Sequence, residues 1–428
     1  MGTKITQVSG QRDSRRDTWP RVLEDNYKRF GESRTAMRHK HNGIWQPYTW
    51  RDYYTNVKHL ALGLLSLGFE PGDKLLIVGD NAPQWYYAEL ASHADRGVSV
   101  GAYSDLSPDE IRYIARNSEA EFAVVQDQEQ VDKLLEIKDD LPLLKRIIYW
   151  DYKGLARYDN AILLPYNEAI RLGEKYEQEH PGAFERNLKS GQADDVCALV
   201  YTSGTTGAAP KPVLHTHRTM KANADFYLRL DPWRENDNVV PSLPPAWITE
   251  QLMAIGCHLL SGAILNFCER PETQQQDTRE IGPNVVFYEA RLWETQAREV
   301  QARILEADLV KRFAFRLFMP VGYKMAELKY RRQKPGLGRR ILYSLANTLL
   351  FARMRDTIGL SKARVCYNTG AILSADAFKF YRALNLPLKN LYGTTEGGAL
   401  AGAANDDIRL ETMGRVHEGT EVRITESG

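Results

Sequence analysis

Val196-Cys-Ala-Leu-Val-Tyr-Thr-Ser-Gly-Thr-Thr-Gly-Ala-Ala-Pro-Lys-Pro-Val-Leu-His-Thr-His-Arg-Thr-Met220 is the stretch on which the reading of this chain turns. Its first half is a short apolar run that reads as a buried strand, and it breaks at Tyr201 into small, hydroxylated and glycine residues. Gly204 and Gly207 permit close approach and unusual dihedrals, while Thr202, Ser203, Thr205 and Thr206 supply hydroxyls and N–H groups suited to an anion. Lys211 adds a mobile positive charge, so the natural ligand of the segment is a polyphosphate. The Walker pattern places lysine directly after its second glycine, whereas Ala208-Ala209-Pro210 separates Gly207 from Lys211, and Pro212 follows. A P-loop NTPase is thereby excluded. A flexible linker fits poorly with an apolar strand before it and a helix-compatible segment, His217–Leu230, after it.

Upstream of this stretch, strand and helix signals alternate. Val57, Leu60, Leu64 and Leu67 recur at helical spacing before Gly68, and Leu75–Val78 reads as a strand. Asn81-Ala-Pro83 opens a helix to about His93, Val98–Tyr103 is a strand, and Ser107-Pro-Asp-Glu110 caps a helix that leads to the strand Phe122–Val125. Between about 128 and 193 the pattern weakens to one strand, Ile147–Trp150, and the charged run from Gly173 to Gln192 reads as a surface connection. Downstream, an apolar helix Thr249–Leu260 and strands at Gly262–Phe267 and Pro283–Tyr288 resume the rhythm. The expected fold is α/β with largely parallel, stacked sheets.

Composition bounds the function. With 428 residues, 43% of them hydrophobic, the chain can bury a large core, and a net charge of +1 gives no global drive toward nucleic acid. Cys197, Cys257, Cys268 and Cys366 are far apart, which indicates neither a zinc site nor a disulfide framework and points to a reducing compartment. No run approaches the ~20 apolar residues of a membrane span, so a soluble cytoplasmic protein is expected. Met1-Gly2-Thr3-Lys4-Ile5-Thr6 matches the loose myristoylation pattern, and chance explains so short a match.

The region from Arg291 to Ser361 breaks the alternation. It is helical by composition, with interruptions expected at Pro320 and at Lys334-Pro-Gly-Leu-Gly338. Between Lys311 and Arg340 basic residues crowd around apolar ones, which reads either as a solvated helical insertion or as a peripheral contact with an anionic membrane. Two later segments carry chemistry. Lys362-Ala-Arg-Val-Cys-Tyr-Asn-Thr-Gly-Ala-Ile-Leu373 ends a strand in a Gly-Ala turn suited to a flat base, and Leu388-Lys-Asn-Leu-Tyr-Gly-Thr-Thr-Glu-Gly-Gly398 gathers an aromatic, hydroxyls and a carboxylate in one loop. Coupled to the phosphate loop, they supply what a magnesium–nucleotide site needs.

Tyr201-Thr-Ser-Gly-Thr-Thr-Gly207 with Pro210-Lys211, and Tyr392-Gly-Thr-Thr-Glu396, resemble the two central signatures of the adenylate-forming, AMP-binding superfamily: acyl-CoA synthetases, luciferases and peptide-synthetase adenylation domains. Tyr48-Thr-Trp50, Gly68-Phe-Glu-Pro-Gly-Asp73, Asn81-Ala-Pro-Gln-Trp85 and Gly414-Arg-Val416 resemble further landmarks, and the insertion beginning Arg291-Leu-Trp-Glu294 is similar to that of long-chain fatty acyl-CoA synthetases. The resemblance implies an N-terminal domain of stacked sheets with a smaller β-barrel-like part. A first α/β subdomain would span about 1–190, a second 191–400 with its insertion at 291–361, and a β-rich part would begin at 401–428.

The resemblance also implies the chemistry, adenylation of a fatty acid by Mg-ATP and transfer of the acyl group to coenzyme A. Thr202, Ser203, Gly204, Thr205, Thr206, Gly207 and Lys211 would hold the terminal phosphates, and Thr202 and Glu396 the magnesium. Gly370, Ala371 and Tyr392 would frame adenine, with Gly393 and Thr394 in the same loop and Thr395 near the α-phosphate. Thr202, Lys211, Thr395 and Glu396 are the implied catalytic set.

Departures are specific. The loop carries an extra residue and Pro212 where glycine is usual, and Trp247 in Leu243-Pro-Pro-Ala-Trp247 stands where long-chain synthetases tend to have histidine, which makes it an acyl-tunnel residue. His215 and His217 have the spacing of a metal pair but read as ordinary polar residues for want of a third ligand. The chain stops at Gly428, ahead of the Thr-Gly-Asp segment, hinge and lysine-bearing lid of the family, so a fragment with little turnover of its own is expected. The alternatives are an acyl-AMP ligase serving a carrier protein, a medium-chain or aryl acid–CoA ligase, and a lidless nucleotide- or acyl-binding module.

Overall fold

A computed structural model of the chain describes residues 17–202, 210–403, 408–409, 412–418 and 420–424. Two sheets organise it. The first has seven strands in the order Leu163–Pro165, Arg146–Tyr149, Ala120–Val125, Lys74–Val78, Val98–Ala102, Val196–Thr202 and Lys211–Thr216. All pair in parallel except the last, which returns antiparallel along Val196–Thr202. The second runs Arg415–Val416, Gly398–Gly402, Leu388–Thr394, Val365–Thr369, Val285–Glu289, Asn238–Val239, Ile264–Phe267, Thr35–His41 and Ile44–Thr49. Its centre is parallel and both edges are antiparallel.

The central strands are apolar on both faces, and their alternation sorts the side chains into layers. Leu75 and Ile77 enter a core between the sheets, where they meet Trp19, Trp50, Trp85 and Phe267. Leu76 and Val78 point the other way, onto Ile111, Val131 and Ile147. In the second sheet Val285 and Phe287 face the shared core, while Val286 and Tyr288 face Trp293, Phe351 and Phe380. The result is helix, sheet, helix, sheet, helix in five layers. Among the described residues the three strands beyond Val365–Thr369 extend the second sheet and close no barrel.

Local signals account for the helices. Thr49 and Asp52 form a capping box for Trp50–Ser66, as Ser107 and Glu110 do for Pro108–Ser118. Two expectations fail. The charged run from Gly173 to Gln192 is not a surface connection but lies largely in two helices, Tyr166–Glu179 and Ala183–Ser190. Gly173 reads locally as a breaker, yet it serves as a contact: a Cβ there would lie 1.7 Å from the His59 carbonyl oxygen, and one at Gly63 2.2 Å from that of Ala169. Two helices therefore meet backbone to backbone, and Lys58 reaches Glu177 at 2.5 Å and Glu185 at 3.1 Å across the joint. Pro320 likewise fails to interrupt, since Leu309–Tyr330 runs through it. The lost hydrogen bond and ring clash cost about 3 kcal/mol, offset by burial of Phe318, Met319, Met325 and Leu328 on the flanking turns. The second expected interruption is present: the helix ends at Tyr330, Arg332 has φ +53°, and the next helix begins at Leu337.

Gly173→Ala should lower stability by about 3 kcal/mol, because backbone rather than a flexible side chain opposes the new methyl. Gly338→Ala, with nothing within 4 Å of the added atom, should leave the urea midpoint unchanged or slightly raised. Equal midpoints for the two variants would refute the close-packed joint.

Candidate functional site

The site lies where strands of both sheets end. Thr202 is the last residue of Val196–Thr202 and is half-buried, and its register partner is Lys211, the exposed first residue of the returning strand. Lys211–Thr216 is a strand of six residues, and Pro212 is tolerated there because an edge strand has one side that donates to no neighbour. Ser203, Gly204, Thr205, Thr206 and Gly207 lie outside the described residues.

In the second sheet Val365–Thr369 and Leu388–Thr394 are parallel neighbours with Asn368 opposite Asn390. Asn368 donates through Nδ2 to the Ala371 carbonyl at 2.8 Å and approaches Asn390 Oδ1 at 3.3 Å, which folds the chain end back as a tight turn. Gly370 sits at φ +80°, a conformation that favours glycine. A Cβ added there would come within 2.6 Å of the Trp247 ring. The Gly370-Ala371 turn, Trp247 and the half-exposed Tyr392 thus gather around the ends of adjacent strands. Tyr392, Gly393 and Thr394 belong to a strand paired with Gly398–Gly402, not to the loop expected for them.

The turn that follows carries the remaining residues. Thr394 Oγ1 accepts the Gly397 N–H at 2.9 Å, Thr395 is half-buried and Glu396 is exposed. Asn223, on the helix His217–Leu230, accepts the Ala399 N–H at 2.8 Å and donates to the Thr219 carbonyl at 2.9 Å. The hairpin is thereby clamped to the helix that follows the Thr202–Lys211 strands. His215 on the returning strand completes the junction. Burial lowers its pKa, and the Thr395 backbone and the Glu396 carboxylate act in the opposite sense. The two motifs, nearly two hundred residues apart, meet through His215 and Asn223. His217 has a different role: it is buried, its Nδ1 accepts the Trp19 N–H at 3.4 Å, and its ring lies edge-on to His93.

Behind Trp247 the segment Pro241–Trp247 is held by buried polar groups. Glu250 accepts the Leu243 N–H at 2.9 Å and the Ser242 N–H at 3.3 Å, while Asn81 Nδ2 donates to the Leu243 carbonyl at 2.7 Å. The helix widens into a π turn at Gln251–Cys257, and Gln251 Nε2 donates both to the Pro245 carbonyl and to Glu89, each at 2.8 Å. Glu89 also accepts from Trp85 at 3.2 Å and lies 3.1 Å from Ser99 Oγ, which is 3.1 Å from the Cys197 carbonyl. Burial pushes the Glu89 pKa up to about 7 and that of Glu250 up to about 8. The same segment forms one wall of a cleft of about 770 Å³ between the sheets, with Asp80, Tyr103 and Trp150 at the carboxyl ends of the first-sheet strands opposite.

The arrangement fits a magnesium nucleotide in chemistry. Thr202 and Glu396 offer a hydroxyl and a carboxylate, the hard oxygen donors that magnesium takes, Lys211 offers a cation, and Gly370 exposes backbone beside the Trp247 ring where a side chain would clash. His215, Asn223, Asn368 and the Glu89–Gln251–Glu250 network were missed by sequence reasoning. Asn368 alone left a signal, an amide inside an apolar strand directly before Thr-Gly-Ala.

Comparison with known proteins agrees with this geometry. The AMP-binding enzyme family matches residues 23–428. The chain is 27% identical over 412 residues to the long-chain-fatty-acid–CoA ligase ACSBG2 of Xenopus laevis, covering 94% of this chain and 54% of that protein. It is 27% identical over 399 residues to ACSBG1 of Rattus norvegicus, covering 91% and 54%. The chain thus spans about half the length of the curated relatives it matches. Among solved structures, the anthranilate CoA ligase AuaEII in complex with anthranoyl-AMP has a TM-score of 0.67 at 18% identity, covering 96% of this chain and 66% of that one. The A-PCP didomain of carboxylic acid reductase from Segniliparus rugosus, in complex with AMP, has a TM-score of 0.67 at 16% identity, covering 90% and 53%. These likenesses show the fold.

Two measurements test the site. Gly370→Ala adds a methyl against Trp247 in a strained backbone and should cost about 1–3 kcal/mol in urea unfolding, with a change in tryptophan emission. Unchanged emission and stability would refute the contact. Glu89 and Glu250 hold protons more tightly folded than unfolded, from an ordinary value of 4.5. Their contribution to stability is full below about pH 4.5 and is lost as pH rises through 7 and 8, on the order of 3 kcal/mol for each group. Parent stability should therefore fall between pH 5 and 8 relative to Glu89→Gln/Glu250→Gln, and a pH-independent difference would overturn the assignment.

Proposed function

The chain belongs to the AMP-binding enzyme family, and from that membership we propose that it is the nucleotide- and acyl-binding part of a long-chain fatty acid–CoA ligase. The observation that carries the reading is the junction of the Thr202–Lys211 hairpin with the Tyr392–Glu396 hairpin through Asn223 and His215. The names of the long-chain ligases it resembles along most of its length support the substrate class.

In this reading a fatty acid carboxylate attacks the α-phosphorus of ATP. The new acyl–O–P bond forms as the bond to the pyrophosphate oxygen breaks, leaving acyl-AMP and pyrophosphate. The coenzyme A sulfur, having given its proton to solvent, then attacks the acyl carbonyl and expels AMP. In-line attack between anions is governed by positioning and charge neutralisation. Lys211 and the loop beginning at Thr202 neutralise the terminal phosphates. Gly370 and Ala371 offer backbone against one edge of adenine, Tyr392 stacks on it, and Thr395 donates toward the α-phosphate. Thr202 and Glu396 would hold magnesium, which would supply positive charge at the phosphate oxygens. Trp247, fixed by the polar network behind it, borders the acyl site. The cytoplasm is the compartment that fits the free cysteines, and contact with a membrane through Lys311–Arg340 suits an acid that partitions into lipid.

The test is acid-dependent ATP–pyrophosphate exchange by the protein extended to the length of its relatives, across a panel of short, long-chain and aromatic acids, followed by addition of coenzyme A. Long-chain acids should support exchange and yield a thioester, and Glu396→Ala should lower exchange by roughly two orders of magnitude or more. ATP binding to the chain should weaken about tenfold in Lys211→Ala. No exchange with any acid, or full exchange in the Glu396 variant, would refute the reading.

A further inference from the structure

The helical insertion holds a surface that the proposed chemistry does not use. Leu309–Tyr330 and Leu337–Ala346 pack against each other as consecutive helices, and the second continues through a π turn, Asn347–Phe351, into Ala352–Thr357. The inner half of the first helix is conventional: Phe318, Met319, Met325 and Leu328 are buried. Its outer half is inverted. Leu309, Phe313 and Leu317, spaced by four on one helical stripe, are 73%, 67% and 51% exposed. Leu337, Ile341 and Leu345 repeat the stripe on the second helix at 73%, 63% and 49%. Six large apolar side chains on neighbouring helices go well beyond the scattered exposure of an ordinary surface.

Charge selects what covers them. From Leu309 to Ala346 there are ten basic residues and one acid, Glu327, and that acid pairs with Lys324 at 2.7 Å and Arg331 at 2.8 Å. Lys311 turns back to Asp308 at 2.9 Å. A second copy of the chain would bring the same excess of positive charge against itself. An anionic surface would neutralise it. Among the described residues no helix is long and apolar enough to cross a membrane, so the contact is with the interface rather than through it. Beside the hairpin, between its first helix and Ala375–Ala383, an apolar cleft of about 710 Å³ is bordered by Arg331 and Arg382, a setting suited to an anionic headgroup over apolar walls.

From these observations we infer that the paired helices Leu309–Tyr330 and Leu337–Ala346 form a bilayer-docking surface, in which the two apolar stripes insert below the headgroups and the surrounding lysines and arginines bind anionic lipid. Insertion of side chains adds to simple charge attraction, so high salt weakens the contact without abolishing it.

The chain is sedimented with vesicles of phosphatidylcholine alone and of phosphatidylcholine with about a third phosphatidylserine, without ATP or fatty acid. Binding should favour the anionic vesicles by at least about tenfold. Leu309→Ser/Phe313→Ser/Leu317→Ser and Arg339→Glu/Arg340→Glu should each reduce it by about an order of magnitude, with circular dichroism and urea midpoints unchanged. Three results would overturn the inference: no binding to either vesicle, equal binding by parent and both variants, or a dimer in light scattering that the apolar variant dissolves while vesicles bind nothing. Vesicle binding and pyrophosphate exchange are read separately, so docking by the chain without exchange by the extended protein keeps this surface and loses the ligase assignment, and the reverse holds.

Discussion

Everything at the site depends on Val196–Thr202 being paired along both edges, in parallel to Val98–Ala102 and antiparallel to Lys211–Thr216. A strand held on one side only could place Thr202 but not the chain that leaves it. The returning strand sets Thr202 opposite Lys211, so the Ser/Thr/Gly sequence between them starts and ends at anchored residues. That geometry differs from a P-loop, where a helix amino terminus receives the phosphate directly. Here six residues of strand carry the chain past His215 before the helix begins, and the second hairpin docks along that strand.

The second hairpin is attached at two points of one helix. Midway along His217–Leu230, Asn223 holds the Ala399 N–H. Directly past its end Asp231, buried, accepts from Lys389 and from the Tyr367 hydroxyl, joining the strands that lead to Tyr392 and to Gly370. Burial holds the Lys389 ammonium below the usual lysine range despite its partner, and the ring of Tyr367 lies 4.8 Å from it. A buried pair of this kind adds little net stability, but removal of one member leaves the other charge uncompensated, at about 3–5 kcal/mol. Such a pair suits a joint that must sit in one place, because every displaced arrangement strands a charge.

Much of this architecture was legible because the relevant signals are local. The alternation around Leu75–Val78, the cap at Ser107-Pro-Asp-Glu110 and the helix after Thr216 all depend on residues within a few positions of each other, and the structure repeats them. What stayed hidden depends on partners far along the chain. Lys211–Thr216 is short, polar and begins Lys-Pro, so nothing in it signals a strand until Val196–Thr202 is beside it. Gly173 reads as a breaker until His59 is placed against it. At the site, Gly370, Ala371 and Tyr392 could be grouped by joining two motifs, and the structure brings them together. Asn223 and His215 could not, since an asparagine on an exposed helical face and a histidine on an edge strand gain meaning only from the hairpin that docks on them.

The carboxylates behind Trp247 show how the fold reconciles a dry core with a polar loop. Pro241–Trp247 contains three prolines, so few of its backbone groups can enter a ladder, and its amides and carbonyls need partners from side chains. Glu250, Asn81 and Gln251 provide them. Ser99 Oγ lies 3.1 Å from Glu89 and 3.1 Å from the Cys197 carbonyl, and so links the carboxyl to the strand that ends at Thr202. The chain of contacts therefore runs from Trp247 to the strand that ends at Thr202 without crossing solvent. A wider π turn at Gln251 brings one amide to both the loop and the carboxylate, which a regular helix would separate. Trp247 is thus positioned by groups that also border the strand ending at Thr202, and the two sheets share one support behind the candidate site.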